Sequence, residues 1–89
     1  MNLPLQNQTV LISGSGRGLG SDIARSFNKE GAKVVINYRK SIKNAEELAD
    51  ELGENALIIQ GDIRNKDDVI NMQRDLEKKQ ISITTIVHN

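Results

Sequence analysis

Ser13-Gly14-Ser15-Gly16-Arg17-Gly18-Leu19-Gly20 is the stretch on which the fold turns. A short apolar run, Thr9-Val10-Leu11-Ile12, leads into it. A segment of helical periodicity leads out, with apolar residues at Leu19, Ile23, Ala24 and Phe27. Glycine tolerates positive φ and lets the main chain approach a ligand closely. A helix that starts at such a turn directs unpaired N–H groups and the positive end of its dipole at whatever lies before it. Strand, glycine-rich turn and helix in that order predict a phosphate cradle.

The glycine spacing narrows the class. G-x-G-x-x-G does not fit, because counting from Gly14 its last glycine falls on Leu19, and from Gly16 on Ser21. The P-loop pattern fails as well, since Leu19 and Gly20 stand where its second glycine and its lysine belong. G-x-x-x-G-x-G does fit, with Gly14, Gly18 and Gly20 preceded by the hydroxyl of Ser13.

Downstream of this turn, helical and strand periods alternate to the last residue. Gly31 is placed to end the first helix as a C′ residue. Lys33-Val34-Val35-Ile36-Asn37 predicts a second strand. Ser41 is the expected cap of a second helix with Ile42, Ala45, Leu48, Ala49 and Leu52 as its buried stripe and Gly53 as its stop. Ala56-Leu57-Ile58-Ile59 predicts the third strand. Asn65 is placed to cap a third helix, with Asp67 and Asp68 in its first turn and Lys78 and Lys79 in its last, an order that suits the helix dipole. Val69, Met72 and Leu76 are its expected core face, and Ile83 through His88 is the expected fourth strand. Apolar strands alternating with helices imply a parallel sheet with right-handed crossovers. The fold class is therefore α/β, β-α-β-α-β-α-β in strand order 3-2-1-4. That is the N-terminal half of a Rossmann doubly wound sheet, spanning residues 1–89 as one half-domain, with ligand expected at the carboxyl ends of the strands.

The pattern Ser13-Gly14-x-x-x-Gly18-x-Gly20 resembles the T-G-x-x-x-G-x-G signature of the short-chain dehydrogenase/reductase family, with Ser13 in place of the usual Thr. The resemblance makes Ser13, Gly14, Ser15, Gly16, Arg17, Gly18, Leu19 and Gly20 a cofactor-binding loop. It also gives the end of the second strand a role. There an acidic residue would accept hydrogen bonds from an adenosine ribose 2′-OH. This chain has Tyr38 at that position, followed by Arg39. A carboxylate repels a 2′-phosphate, whereas a guanidinium pairs with it bidentately. With Arg17 as a second cation, Tyr38 and Arg39 resemble the branch that prefers NADP(H). After the third strand, Asp62 and Ile63 match the family's adenine contact, the carboxylate bonding the amino group and the next residue lying beside the base. The closing His88-Asn89 resembles the start of the N-N-A-G motif. Asn89 matches the second Asn and is expected to line the cofactor site, while His88 departs from the first and carries no expected role.

The resemblance covers nearly all of this chain but only the opening third of a typical family member. The Ser, Tyr and Lys that the family uses for hydride transfer would lie beyond Asn89, so no catalytic residue is expected here and the chain is expected to be inactive alone. The loop S-G-S-G-R-G-L-G and the stretch V-V-I-N-Y-R-K-S resemble the 3-oxoacyl-acyl-carrier-protein reductase branch. That resemblance implies a small or acyl-carrier-linked carbonyl substrate, a link to fatty acid biosynthesis, and a tetramer in the complete enzyme. A non-catalytic nucleotide-binding module and a nonfunctional truncated fragment are the alternatives.

Composition excludes several other classes. The 12 basic and 12 acidic side chains cancel, which gives no electrostatic case for nucleic acid or an anionic membrane surface. No cysteine is present, so neither a disulfide framework nor a thiolate metal site is expected. Leu, Ile, Val and Phe account for 25 of the 89 residues, enough to argue against disorder. A domain of this length buries only about 60–65% of its unfolded surface, so a thin stability margin is expected. Residues 1–6 lack a basic segment followed by a long apolar one, and no apolar run matches a membrane span. The expected location is the cytoplasm.

Overall fold

A computed structural model describes residues 7–14 and 18–89. Four strands and three helices alternate: β1 (Thr9–Ser13), α1 (Leu19–Lys29), β2 (Lys33–Tyr38), α2 (Ile42–Leu52), β3 (Ala56–Gln60), α3 (Lys66–Lys78) and β4 (Thr85–Val87). A 3-10 turn, Gly53–Asn55, joins α2 to β3. The sheet is parallel throughout, in the order β3-β2-β1-β4. This is the expected half of a doubly wound sheet.

The register explains why the central strands read as unbroken apolar runs. Val10, Leu11 and Ile12 of β1 pair with Val34, Val35 and Ile36 of β2. Successive side chains point to opposite faces, and both faces are covered. Val10, Ile12, Val34, Ile36 and Tyr38 pack with Ala24 of α1 and Ala45 and Leu48 of α2. Leu11, Val35 and Ile59 pack with Met72 and Leu76 of α3. The largest fully buried side chains all come from β1 and β2, which places the centre of the core on those two strands.

Helix ends follow local chemistry. Gly31 closes α1 with φ 94°, where its N–H donates to the Asn28 carbonyl and the Ala32 N–H donates to the Phe27 carbonyl. These are the paired bonds of a Schellman motif, as the sequence predicted. α3 ends the same way without a glycine. Gln80 adopts φ 58°, its N–H reaches the Glu77 carbonyl, and the Ile81 N–H reaches that of Leu76. Burial of Ile81 against Leu76 holds the turn. At the start of α3 the Asn65 side chain accepts from the Asp68 N–H at 3.0 Å, the expected cap.

Three expectations are corrected. Ser41 stands at the N-cap of α2 but makes no side-chain capping bond. Ile42 is half exposed rather than part of the buried stripe, because it opens the helix before α2 has settled onto the sheet. The fourth strand is three residues long, not six, because β4 pairs only with Val10, Leu11 and Ile12. Before it, Thr84 is held by Thr9, its N–H and its hydroxyl both donating to the Thr9 carbonyl. β4 forms one edge of the sheet and leaves Ile86 67% exposed. No helix among the described residues is long and apolar enough to cross a membrane.

Candidate active-site cleft at the strand ends

All four strands run the same way, so their carboxyl ends meet along one rim. There the order of connections reverses between β1 and β4, and such switch points leave a crevice. A cleft of about 190 Å³ occupies this place. Ser13 ends β1 and Gly14 follows it, Asn37 lies in β2 and Arg39 just beyond it, the β3–α3 loop contributes Gly61 through Arg64, and His88 and Asn89 follow β4.

Ser13 is only 4% exposed and ties the end of β1 to the end of β4, the edge strand beside it. Its hydroxyl accepts from the Asn89 N–H at 3.1 Å and lies 3.3 Å from His88 Nδ1 and 3.4 Å from the Val87 carbonyl. Gly14 follows with φ 66°, a conformation that costs an L residue roughly 1–2 kcal/mol. A Cβ there would lie 3.4 Å from the Asn89 carbonyl oxygen. The main chain at Gly14 is thus bare and close to the end of β4, as a backbone cradle requires. Gly18 is the N-cap of α1, Leu19 is its first residue, and Gly20 is buried behind them. Ser15, Gly16 and Arg17, which the sequence places in the same loop, lie outside the described residues.

The β3–α3 loop is built by side chains that satisfy its backbone. The amide of Asn37, 3% exposed, donates to the Gly61 carbonyl at 3.0 Å and the Ile59 carbonyl at 3.3 Å, and it lies 3.3 Å from Met72 Sδ. The Gly61 N–H donates to the Tyr38 carbonyl at 2.9 Å, and a Cβ on Gly61 would fall 2.8 Å from Met72 Sδ. The Asp62 N–H donates to the Asp68 carboxylate at 2.8 Å. Asp62 accepts the Arg64 N–H at 2.9 Å, an Asx-turn.

Besides the Asp68 carboxylate under the Asp62 N–H, three charged side chains meet here, Asp62, Arg64 and Arg39. The Arg64 guanidinium donates to both Asp62 oxygens, at 3.1 and 3.2 Å, while Arg39 donates to one of them at 3.4 Å. The side-chain and backbone hydrogen bonds from Arg64 lower the Asp62 carboxyl to about 2, and the same pairing raises Arg64. Asp62 is therefore an acceptor only at any physiological pH. Its charge faces the cleft partly neutralised.

Among the expected site residues, Ser13, Gly14, Arg39, Asp62, Ile63 and Asn89 come together at this rim. Tyr38 does not line the cleft; its ring is buried in the core on the α1–α2 side, and its backbone carbonyl holds Gly61. Sequence reasoning passed over Asn37, Gly61 and Arg64. A polar residue ending an apolar strand could have flagged Asn37, and the two-residue spacing of an Asx-turn could have flagged Arg64. Among the described residues no cluster of three or more His, Asp or Glu side chains has the geometry to hold a metal ion.

An open parallel α/β sheet in the order 3-2-1-4, with a glycine turn and a charged loop at its switch point, defines a doubly wound mononucleotide-binding half. A family model described as short chain dehydrogenase matches residues 8–89, and the chain belongs to that family, one of oxidoreductases that bind a nicotinamide cofactor and act on small-molecule substrates. A short chain dehydrogenase of Claviceps purpurea is 39% identical over 71 residues, covering 76% of this chain and 27% of that protein. A short chain dehydrogenase structure from Bacillus anthracis superposes with a TM-score of 0.86 at 32% identity, covering 98% of this chain and 36% of that one. A 3-ketoacyl-(acyl-carrier-protein) reductase from Brucella melitensis, solved in complex with NADH, gives a TM-score of 0.81 at 36% identity over 92% of this chain and 33% of that one. The chain spans about a quarter to a third of the length of these relatives.

Proposed function

We propose that this chain is the cofactor-binding part of an NADP(H)-dependent short-chain oxidoreductase that reduces a carbonyl, of the 3-oxoacyl-acyl-carrier-protein reductase type. The observation that carries it is the convergence of the bare main chain at Gly14, the Arg39 guanidinium and the Asp62 carboxylate on one rim. When bound, the nicotinamide supplies the hydride. The residues fit the rest of such a ligand. Gly14, Gly18 and Gly20, with Ser15, Gly16, Arg17 and Leu19 between them in the sequence, would admit a pyrophosphate against the main chain and the start of α1. Ser13 would hold that loop to the end of β4 rather than touch the ligand, since its hydroxyl is already bonded to the Asn89 N–H.

Arg39 is half exposed at the cleft, and its single contact with Asp62 leaves donors for a ribose 2′-phosphate. Tyr38, buried beside it, would contribute by leaving no carboxylate at that position. Asp62 would accept from the adenine amino group, with Ile63 beside the ring and Asn89 along the floor. No residue of the chain is given a catalytic role. The substrate is a small or acyl-carrier-linked carbonyl, and the complete enzyme works in the cytoplasm as a homo-oligomer, a tetramer.

Titration of the chain with NADPH and NADH is the test. NADPH is expected to bind at least tenfold more tightly, one charge-assisted contact being worth about that much, and Arg39→Asp is expected to abolish the difference. Equal affinities would overturn the NADP(H) preference, and binding of neither would overturn the cofactor-binding reading itself.

A further inference from the structure

Arg64 does not need to touch a ligand to matter at this rim. Asp62 offers two oxygens, and the contacts to them are unequal. Arg64 makes three, its backbone N–H at 2.9 Å, Nε at 3.1 Å and Nη2 at 3.2 Å. Arg39 makes one, at 3.4 Å, the longest and weakest of the set. A guanidinium fork fills both oxygens of a carboxylate in one plane. With Arg64 seated there, Arg39 has only the margin of one oxygen.

Two consequences follow for an anion arriving beside Arg39. First, breaking a single long contact frees Arg39, whereas breaking a fork of its own would cost far more. Second, the Asp62 charge, 23% exposed on the cleft side, is screened by a neighbour that is itself 70% exposed and so keeps its full charge in water. Without Arg64 the carboxylate would draw Arg39 into the fork and would also repel a phosphate directly. The lowered Asp62 carboxyl agrees with this division of contacts, since Arg64 is the main cause and Arg39 the least.

We infer that Arg64 is a specificity-determining residue that acts through Asp62: by occupying that carboxylate it keeps Arg39 available for a phosphorylated ribose. The inference rests on the cofactor-binding reading above. It assigns the preference to a relay of three side chains, one just after β2 and two in the β3–α3 loop, rather than to Arg39 alone.

The test uses adenosine 2′,5′-bisphosphate and adenosine 5′-monophosphate as probes, titrated into the full chain. Wild type is expected to favour the bisphosphate. Arg64→Gln is expected to lose about tenfold of that preference, the size of one charge-assisted contact, with little change for the monophosphate. Arg64→Gln combined with Asp62→Asn is expected to regain the preference, because the competing carboxylate is gone. Arg64→Lys, which keeps the charge without the fork, is expected to retain part of it. Equal weakening of both probes by Arg64→Gln would overturn the inference, as would a double variant no better than the single one. So would an Arg64→Lys variant as poor as Arg64→Gln. Wild type that binds neither probe, or that binds both equally, would instead overturn the cofactor-binding reading or its NADP(H) preference.

Discussion

Asn37 is the side chain whose removal should tell most about how the cleft is held. It sits at the carboxyl end of β2, buried, with the Gly61 and Ile59 carbonyls and the Met72 sulfur facing its amide nitrogen. Asn37→Ala removes one good hydrogen bond and leaves the buried Gly61 carbonyl without this donor. The first loss is about 1 kcal/mol and the second a further 1–2 kcal/mol, so the expected destabilisation is about 2–3 kcal/mol. Against a total of roughly 5–10 kcal/mol for a chain of this size, that is a large fraction. Urea unfolding followed by far-UV circular dichroism reads it directly. With an m-value of about 1 kcal/mol/M, the midpoint should fall by about 2 M or more.

Asn37→Asp sharpens the test, because it keeps the shape and reverses the hydrogen bond. A carboxylate facing two carbonyl oxygens has no proton to give, so the folded protein favours the neutral acid and raises its pKa. The penalty is then full above that raised pKa and disappears as the pH falls below it. The variant should be worse than Asn37→Ala at pH 7 and should recover relative to wild type on acidification. A midpoint within 0.5 M of wild type for Asn37→Ala would refute the role given to Asn37, as would no relative recovery of Asn37→Asp in acid.

Two further outcomes follow from the same geometry. Gln80→Gly should stabilise the chain by about 0.5–1 kcal/mol, since glycine relieves the left-handed conformation that closes α3 at some entropic cost; a lower thermal midpoint would refute this. Acid should weaken the fold through Asp62, whose carboxyl is depressed from its ordinary value of 3.8 to about 2. A depressed carboxylate stabilises above its unfolded value, so this contribution is present above about pH 4 and is lost as the pH falls toward 2. Thermal midpoints measured across that window should fall less steeply for Arg64→Gln, and identical slopes would refute the pairing.

Much of the fold was legible because its causes are local. The runs Val10–Ile12, Val34–Ile36 and Ala56–Ile59 are short, apolar and bounded by glycine or polar residues, and each became a strand. Gly31 and Asn65 sit where helix ends need a positive φ and a side-chain acceptor, and both are used that way. Less was legible at the termini of elements. Ser41 has the chemistry of a cap but not the geometry, and Gln80 does a glycine's work because Ile81 is drawn into the core beside Leu76. The fourth strand looked longer than it is, since Ile83, Thr84 and His88 flank it with residues a strand accepts, yet only Thr85–Val87 enter the parallel ladder with β1.

The candidate site divides along the same line. Sequence alone determined the glycine turn, the cation at position 39 and the carboxylate at position 62, because each is a matter of residue type at a given distance after a strand. Only the tertiary structure decided which of them meet and on what terms. It turned the Tyr38 ring into the core, made the Ser13 hydroxyl a tie to Asn89, and gave the loop its support from Asn37, more than twenty residues away in the chain. It also set Arg64, not Arg39, as the principal partner of Asp62. Sequence spacing fixes what a residue can offer, but a hydrogen bond or ion pair goes to whichever partner the fold brings within about 3 Å at the right angle, and that contest is settled in three dimensions.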